Sequence, residues 1–472
     1  MSNRKAITVS PLEIEEQKHY IDELKNRIWG KGLKYHIVTY GCQMNVHDSE
    51  KLAGILNQIG YEETDEQREA DLILFNTCCV RENAELRVYG NVGALKSYKQ
   101  ANPNSIIGVC GCMMQQNEIS DYIQQTFPFV DLIFGTHNLH RFPMLLLQAL
   151  DSNHTVVEVL ESEGAVVEHV PVKRTKGVSA WVTIMYGCNN FCSYCIVPYV
   201  RGRERSRRPA DILGEIRKLA AEGYKEVTLL GQNVNSYGKD LDEKLLFPQL
   251  LRKINEIDEI ERIRFMTSHP KDLSDDLIQT MAECDKVCKH LHLPIQAGSN
   301  RILRKMNRKY SREVYMELVE KLRSAMPGIA LTTDIIVGFP GETEEDFLET
   351  LSAVEQVRYD SAFTFVYSPR RGTSAAKMKE QILQSEKKQR LARLNELVNK
   401  ISKEKNLEYL DRNVKVLVEG YSKNRTDILT GRTDTNKIVN FKGDTDLIGK
   451  TAMIKITEAH SWSLEGKVAE TN

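Results

Sequence analysis

The chain has 472 residues, of which 41% are hydrophobic and 27% are charged, and 64 Lys and Arg side chains stand against 65 Asp and Glu side chains. A net charge of −1 excludes a global basic field, so any binding to nucleic acid depends on local patches. Ten cysteines, no apolar leader and no apolar run long enough to span a bilayer predict a cytoplasmic protein whose cysteines serve metal binding or catalysis.

The length suggests about three domains, preceded by a polar and charged extension over residues 1–33. The extension contains a possible helix over Pro11 to Ile28, which we expect to lie outside any core. Residues 34–150 then repeat one pattern three times: an apolar strand-like run, one or two cysteines, and a helical stretch. The three runs are Tyr35 to Tyr40, Asp71 to Asn76 and Ile106 to Val109.

The cysteines after these runs are predicted to converge in space. Strands that alternate with helices predict a parallel sheet, and the carboxyl ends of its strands open onto one edge where ligands bind. Cys42 follows the first run, whereas Cys78 or Cys79 follows the second and Cys110 or Cys112 the third. Strand geometry alone does not choose within either pair. A zinc site, or thiols buried by chance in the core, is the competing interpretation.

A longer alternation of strands and helices over residues 174–405 predicts a partial (β/α)6 barrel. Barrels of this kind place their chemistry in the loops at the carboxyl ends of the strands. The predicted strands are Trp181 to Met185, Glu226 to Leu230, Ile263 to Thr267, His290 to Ile295, Leu331 to Val337 and Ala362 to Tyr367.

Three cysteines, Cys188, Cys192 and Cys195, share the loop after the first of these strands, with C-x3-C-x2-C spacing. Three thiolates on one tight loop can bind three irons of a [4Fe–4S] cluster and leave the fourth iron open. A structural zinc site would need a fourth Cys or His nearby, and none follows Cys195 for many residues. A non-catalytic electron carrier would protect all four irons, so the spacing favours a reactive cluster.

The last part of the chain combines a charged helix with short strands. The helix extends from about Ala375 to Lys405, and from Glu380 onward it is interpreted as a solvated connector. Short runs broken by Gly and Asn over residues 408–471 predict a small antiparallel β-barrel comparable to nucleic-acid-binding barrels. These runs are Val414 to Val418, Ile428 to Leu429, Ile438 to Phe441, Ala452 to Ile456 and Leu464 to Val468.

Local basic segments are predicted to contact RNA. Five arginines lie within eight residues after the Cys195 loop, at the mouth of the predicted barrel, where phosphates of a single-stranded RNA loop would lie. A simple solvated loop is the competing interpretation. The five are Arg201, Arg203, Arg205, Arg207 and Arg208, and Arg425, Arg432 and Lys437 lie on the last predicted barrel.

Four motifs resemble one known family, the methylthiotransferases, which are radical S-adenosylmethionine (SAM) enzymes with two [4Fe–4S] clusters. The motifs are Tyr40-Gly-Cys42-Gln-Met-Asn45, Asn76-Thr-Cys78-Cys-Val-Arg81, Gly111-Cys112-Met-Met-Gln115 and the Cys188 loop. The resemblance extends from about residue 34 to the end, as an amino-terminal methylthiotransferase domain, a radical SAM barrel and a TRAM domain.

The resemblance assigns the cysteines to two clusters. It implies that an auxiliary cluster is bound by Cys42, Cys78 and Cys112, and that the cluster that cleaves SAM is bound by Cys188, Cys192 and Cys195. Four cysteines then have no part in iron binding, the last two of them as thiols buried in a helix: Cys79, Cys110, Cys284 and Cys288.

SAM contacts and a substrate are also implied by the resemblance. Gln232 resembles the stretch that meets the methionine amino group of SAM, and Asp334 and Gly338 resemble the strand on its adenine side. The motifs Gln232 to Gly238 and Leu293 to Ser299 resemble the MiaB type, which thiomethylates tRNA. The resemblance further implies that two SAM molecules are used per turnover, one as methyl donor and one as radical source, to modify C2 of N6-isopentenyladenosine at position 37. Another modified adenosine of tRNA, or a protein side chain, is the alternative acceptor.

The implied partners are the tRNA anticodon loop, an external electron donor and a sulfur donor. We expect a monomer that makes no contact with a membrane.

Overall fold

The computed structural model describes residues 8–79, 82–160, 164–168, 170–174, 177–423 and 425–469, so Val80, Arg81 and the first seven residues of the predicted extension lie outside the described residues. The first unit contains six strands and six helices. The strands are β1 Lys34–Thr39, β2 Glu62–Glu63, β3 Leu72–Thr77, β4 Ile106–Gly111, β5 Leu132–Phe134 and β6 Val156–Glu158. The helices are α1 Pro11–Ile28, α2 Gln43–Ile59, α3 Glu82–Gly93, α4 Lys96–Ala101, α5 Asn117–Thr126 and α6 Phe142–Asp151.

These strands form one parallel sheet in the order β2-β1-β3-β4-β5-β6, with a hydrophobic core on each face. All residues of β3 and β4 are buried, as expected for central strands of a parallel sheet covered on both sides. The three predicted strand–helix units are therefore confirmed. The sheet is larger than predicted. The sequence did not predict β5 and β6, because strands of three residues are too short to show a pattern.

Helix α1 belongs to the core of this unit. Its N-cap Ser10 accepts a hydrogen bond from the Glu13 backbone N–H at 3.1 Å. Its buried stripe of Ile21, Leu24 and Ile28 packs in the same core as α2 and α6. The helix is thus confirmed at its predicted bounds, but the expectation that it lies outside a core is wrong. Its charged composition hid an apolar stripe with spacings of three and four residues.

The second unit alternates strands with helices. Its strands are β7 Ser179–Thr183, β8 Met185–Tyr186, β9 Arg205–Ser206, β10 Glu226–Leu230, β11 Arg262–Phe265, β12 His290–His292, β13 Ala330–Val337 and β14 Ser361–Val366. Its helices are α7 Val197–Val200, α8 Pro209–Ala221, α9 Phe247–Asn255, α10 Asp275–Glu283, α11 Asn300–Lys305, α12 Arg312–Ala325 and α13 Glu344–Val357.

Six of these strands form a partial parallel barrel, and β8 pairs with β9 in a separate antiparallel ribbon. The barrel consists of the three-stranded sheets β7-β10-β11 and β12-β13-β14. The two sheets meet at Ile263, whose N–H donates to the Lys286 carbonyl at 2.8 Å and whose carbonyl accepts from the Cys288 N–H at 3.0 Å. All six predicted barrel strands are confirmed. Strands β7 and β14 form the edges of the open barrel.

The charged helix α14, Gln384–Leu407, is packed against the barrel rather than solvated. It buries Leu394, Val398 and Ile401 in the barrel core. Its buried Arg390 forms an ion pair with Glu342 at 3.0 Å. The interpretation of this segment as a solvated connector is therefore wrong, because three apolar residues on one face are enough to dock a helix whose other faces are charged.

The carboxyl-terminal unit is a closed five-stranded barrel in the order β15-β16-β17-β19-β18, as predicted. Four of its five strand pairs are antiparallel, whereas β17 and β19 pair parallel. Its core contains Val416, Leu429, Phe441 and Ile454. The strands are β15 Asn413–Ser422, β16 Arg425–Arg432, β17 Ile438–Lys442, β18 Thr451–Ala459 and β19 Leu464–Val468.

This small barrel covers the amino-terminal ends of the strands of the partial barrel. Arg264 of β11 donates to the Thr433 carbonyl at 2.6 Å and forms a buried ion pair with Glu226 at 2.7 Å. Lys437 pairs with Asp360, just before β14, at 2.8 Å. The carboxyl ends of the same strands face away from this contact, toward the Cys188 loop.

Within the described ranges, we find no helix that combines the length and the apolar character needed to cross a membrane.

The buried pair of Arg264 and Glu226 gives a test of this packing. In Arg264→Ala the Glu226 carboxylate stays buried without its cation, so we expect a loss of about 3–5 kcal/mol in the free energy of unfolding. Denaturant unfolding followed by circular dichroism measures it. The control is Arg425→Ala, since Arg425 is exposed on the small barrel. A loss below about 1 kcal/mol in Arg264→Ala would contradict the proposed role of this contact, because an exposed pair gives such values.

Candidate active site

The loop of Cys188, Cys192 and Cys195 is held on one side by the turn at residues 202–203. Gly187 has φ of 76°, and a Cβ atom added there would lie 2.0 Å from the Arg203 carbonyl oxygen. The Cys188 N–H donates to the Gly202 carbonyl at 3.1 Å. This turn therefore needs glycine at position 187, both for its left-handed backbone and for the close approach of the two chain segments.

The segment after α11 holds the other side of the loop. The Ser193 N–H donates to the Met306 carbonyl at 3.0 Å, and the Ser193 hydroxyl donates to the Lys305 carbonyl at 2.8 Å. The Asn307 side-chain amide donates to the Phe191 carbonyl at 2.8 Å. Polar contacts on both sides fix the backbone that presents the three thiols.

Cys188 and Cys192 of this loop are buried, and Cys195 is half-buried. Burial raises the pKa of the Cys188 thiol to about 12 and also raises the pKa of Cys195, and the neighbouring cysteines add to both effects. The Asn190 amide donates to the Cys188 sulfur at 3.4 Å. Thiols in such a setting ionise when a metal ion compensates their charge, and binding then releases protons. This donor set fits an iron–sulfur cluster.

A buried arginine that the sequence did not single out, Arg308, contacts this triad. Its Nη1 atom donates to the Cys192 sulfur at 3.4 Å, its Nη2 atom to the Pro294 carbonyl at 2.9 Å, and its Nε atom to the Tyr310 hydroxyl at 2.8 Å. All of these acceptors are neutral while Cys192 is a thiol. No sequence motif around Arg308 distinguishes it from a surface arginine.

Cys42, Cys78 and Cys112 follow β1, β3 and β4, and the structure brings them to one edge of the sheet. Cys78 lies against the backbone of Gly41, because a Cβ atom at Gly41 would be 2.5 Å from the Cys78 Cβ atom. The Arg201 Nε atom donates to the Cys112 sulfur at 3.2 Å. The same guanidinium is 3.5 Å from the Asn45 side-chain oxygen, which accepts a hydrogen bond from the Cys42 thiol at 3.3 Å.

The other cysteines of the sheet differ in their positions. Cys110 lies within β4, and its side chain belongs to the hydrophobic core that contains Phe134. Cys79 lies beside Cys112. Its hydrogen bond to Cys112, together with the charge of Arg201, lowers the pKa of the Cys112 thiol although burial opposes the shift.

Two further thiols are buried in the partial barrel. Cys284 is the C-cap residue that follows α10, and Cys288 lies in the segment between α10 and β12. Both are buried as expected, but neither lies inside a helix, so that part of the prediction is wrong.

A short segment joins the two cysteine triads. Ile196 directly follows Cys195, and it packs with Val200 of α7 against Cys79 and Cys112. The Val200 carbonyl accepts a hydrogen bond from the Thr136 hydroxyl of the first unit at 2.7 Å. The two triads therefore lie on either side of residues 196–201.

The arginine run does not form the predicted basic surface. Arg201, Arg205 and Arg207 are buried, and only Arg203 and Arg208 of the five are exposed. Burial of the first three contradicts their assignment as RNA contacts. On the small barrel, Lys437 is buried against Asp360 and Arg432 pairs with Glu419 at 3.1 Å, whereas Arg425 is exposed.

Acidic partners explain the burial of Arg207. It pairs with Glu168 at 2.6 Å and with Glu215 at 2.7 Å. Neither the spacing of the arginines nor their number predicts which of them meet such partners.

The predicted SAM residues lie on different strands. Gln232 follows β10, and its side-chain oxygen accepts a hydrogen bond from the Gly187 N–H, so it helps to hold the cysteine loop. Asp334 lies within β13 and is 3.5 Å from the His292 ring. Gly338 follows β13 with φ of 70°, and its N–H donates to the buried Glu342 carboxylate. The described contacts do not join Gln232 to the other two.

Gln296 is a further candidate that residue-by-residue reasoning missed. It follows β12, has φ of 70°, and its N–H donates to the Asp334 carbonyl at 2.9 Å. Its side-chain oxygen is buried and has no hydrogen-bond partner in the described part of the chain. An unpaired buried acceptor next to the barrel mouth is typical of a ligand contact. The sequence feature that could have identified Gln296 is its position within the Leu293 to Ser299 motif.

Comparisons with known proteins agree with this arrangement. Family models match three consecutive regions: Uncharacterized protein family UPF0004 over residues 34–135, the Radical SAM superfamily over residues 182–354 and the TRAM domain over residues 408–469. A protein of Thermoanaerobacter sp. (strain X514) is 58% identical over 464 residues, which cover 98% of each chain. A protein of Acetivibrio thermocellus is 58% identical over 472 residues, which cover 99% of this chain and 98% of the relative. Both relatives are named tRNA-2-methylthio-N(6)-dimethylallyladenosine synthase.

Solved structures are similar in fold. The radical SAM methyltransferase TsrM from Kitasatospora setae, with cobalamin and a [4Fe–4S] cluster bound, matches with a TM-score of 0.52 and 15% identity over 73% of this chain and 77% of that chain. The same enzyme with tryptophan and a SAM analogue bound matches with a TM-score of 0.51 and 14% identity over 70% and 72% of the two chains.

Substitution of Gly187 tests how the cysteine loop is held. In Gly187→Ala the left-handed backbone and the clash with Arg203 must distort the loop, so we expect a stability loss of at least about 1–3 kcal/mol and less bound iron after anaerobic reconstitution. Gly214→Ala is the control, because a Cβ atom there meets open space on α8. It should bind normal iron and be no less stable than the parent. Normal iron binding by Gly187→Ala would show that the turn does not need glycine.

Proposed function

The chain belongs to the tRNA-2-methylthio-N(6)-dimethylallyladenosine synthase family, and we propose that it is the radical SAM methylthiotransferase that modifies C2 of N6-isopentenyladenosine at position 37 of tRNA. The observation that supports this most directly is the C-x3-C-x2-C loop at the carboxyl end of β7, next to a second cysteine triad. The likeness to relatives extends over nearly the whole chain, including the small carboxyl-terminal barrel.

Two [4Fe–4S] clusters and SAM are the cofactors in this proposal. Cys188, Cys192 and Cys195 would hold the cluster that meets SAM, and Cys42, Cys78 and Cys112 the auxiliary cluster. Support comes from the contact of a buried arginine with one thiol of each triad. Three thiols per site leave one iron open for a ligand other than protein.

The reaction at adenine C2 requires the chain to position the reactants rather than to supply acid–base groups. An adenine C2–H bond is unactivated, and the cluster that Cys188, Cys192 and Cys195 would hold would supply, with SAM, the one-electron chemistry that such a bond requires. The protein residues must then exclude water and hold the reactants close. The small barrel, through Arg264 and Lys437, covers the amino end of the partial barrel, which leaves the carboxyl mouth as the entrance.

Binding of tRNA in this proposal depends on the exposed cations. Arg203 and Arg208 lie at the mouth of the partial barrel, and Arg425 lies on the small barrel. An external electron donor, a sulfur donor, a monomeric state and a cytoplasmic location complete the proposal. Binding to tRNA should weaken as salt rises, because phosphate contacts release counterions.

Iron and SAM assays test the two-cluster assignment. We expect about eight irons per chain after anaerobic reconstitution and about half of that when Cys188, Cys192 and Cys195 are replaced by alanine, because each triad holds its own cluster. That triple variant should form no 5′-deoxyadenosine from SAM. Replacement of Cys42, Cys78 and Cys112 should leave SAM cleavage intact and stop sulfur insertion. Complete loss of iron in the first variant, or sulfur insertion by the second, would refute the assignment.

Mass spectrometry of tRNA nucleosides tests the substrate. A strain that lacks this protein should accumulate N6-isopentenyladenosine and lose its 2-methylthio form, and the chain supplied on a plasmid should restore it. Unmodified adenosine 37 should be a poor substrate in vitro, since an unfilled apolar pocket forfeits about 1–3 kcal/mol of binding per missing group. An unchanged nucleoside profile in the deletion strain would refute the proposed substrate.

A further inference from the structure

Arg201 lies between the two cysteine triads and is buried, with 6% of its surface exposed. Its Nε atom is 3.2 Å from the Cys112 sulfur. One Nη atom is 2.8 Å from an Asp48 carboxylate oxygen and 3.5 Å from the Asn45 side-chain oxygen. Asn45 in turn accepts a hydrogen bond from the Cys42 thiol at 3.3 Å. The guanidinium is thus linked to two of the three predicted auxiliary ligands.

The charge of this guanidinium is fixed. Arginine stays protonated in proteins, so burial cannot remove the charge and the surroundings must compensate it. Asp48 supplies one negative charge at ion-pair distance. Thiolates bound to iron would add negative charge on the other side of the guanidinium. In a buried site the interaction between such charges is much stronger than in water.

The neighbouring arginines have other roles. Arg203 lies over the Phe191 ring at 4.8 Å, and Arg207 pairs with Glu168 and Glu215. Arg208 is exposed at the N-cap of α8. Arg205 donates to the Arg203 and Arg201 carbonyls at 2.8 and 3.1 Å. Among the described contacts of the run, the one with Cys112 belongs to Arg201.

We propose that Arg201 is a positioning residue for the auxiliary cluster, where it donates a hydrogen bond to the Cys112 sulfur and places a fixed positive charge that stabilises the reduced cluster. This inference rests on the proposed function, which supplies the cluster. Hydrogen bonds to cluster sulfurs and nearby charge are known means by which proteins set the reduction potential of a cluster. Since Arg201 follows Cys195 by six residues, the segment that carries the reactive triad also sets the electrostatics of the auxiliary one.

The test isolates the auxiliary cluster. In a chain with Cys188, Cys192 and Cys195 replaced by alanine, the remaining cluster is titrated with dithionite and its reduction is followed by electron paramagnetic resonance. Arg201→Gln should shift the midpoint potential to a more negative value, because reduction adds an electron that the cation no longer stabilises. Arg201→Lys keeps the charge and should stay closer to the parent. The control Arg208→Gln, from the exposed part of the same run, should leave the potential unchanged.

Asp48→Asn provides a second measurement if Arg201→Gln does not retain its cluster. It removes the carboxylate that pairs with Arg201, so the potential should shift to a more positive value. An unchanged potential in Arg201→Gln with its iron intact, or in Asp48→Asn where that variant is needed, overturns the role of Arg201 alone. Absence of any cluster in the parent chain of this test overturns the proposed two-cluster function and this inference with it.

Discussion

The site depends on one constraint of parallel sheets, which is that the carboxyl ends of neighbouring strands point the same way. In the first unit this brings Cys42, Cys78 and Cys112 to one edge although long helical stretches separate them in the chain. In the partial barrel it places the Cys188 loop at the mouth. A thiol within a strand points to one face of the sheet rather than to its carboxyl edge, as Cys110 shows by its place in the core of the first unit. The chain therefore presents the six cysteines of the two triads from loops that follow strands.

Two sheets with open edges form one site only if those edges are held together. Here α2 of the first unit packs against β7 of the barrel, and the Lys51 ammonium donates to the Tyr186 hydroxyl at 3.0 Å. On the other side, Ile196 and Val200 pack against Cys79 and Cys112. The apolar contact removes nonpolar surface from water at the interface between the two units. The ion pair between Arg201 and Asp48 adds a directional contact that orients the two units. The relative position of the two triads thus follows from contacts of residues that adjoin them.

The sequence was sufficient to predict the positions of most strands, but it did not predict the partners of most charged side chains. The apolar run Leu72 to Phe75 of β3 predicts a buried parallel strand because consecutive apolar residues leave neither face of the strand for solvent. The prediction of a basic surface at the arginine run was wrong because the sequence of a basic segment does not show which acidic residues it meets in the fold. Arg207 is buried by Glu168 and Glu215, and Arg201 by Asp48, which is distant in the chain. The interpretation of α14 as a solvated connector was wrong because its many charged residues concealed the apolar face that packs on β14.

The two buried arginines at the triads differ in how their charge is balanced. Arg201 has the Asp48 carboxylate as a partner, so its pair is neutral before any iron binds. The described partners of Arg308 are the Tyr310 hydroxyl, the Pro294 carbonyl and the Cys192 sulfur, which are neutral while Cys192 is a thiol. A buried cation with neutral partners is costly. In the proposed function, iron bound by Cys192 would make it a thiolate that compensates this charge. We therefore expect folding around the Cys188 loop to be coupled to iron more tightly than folding of the auxiliary edge, where the Asp48 carboxylate supplies the balancing charge.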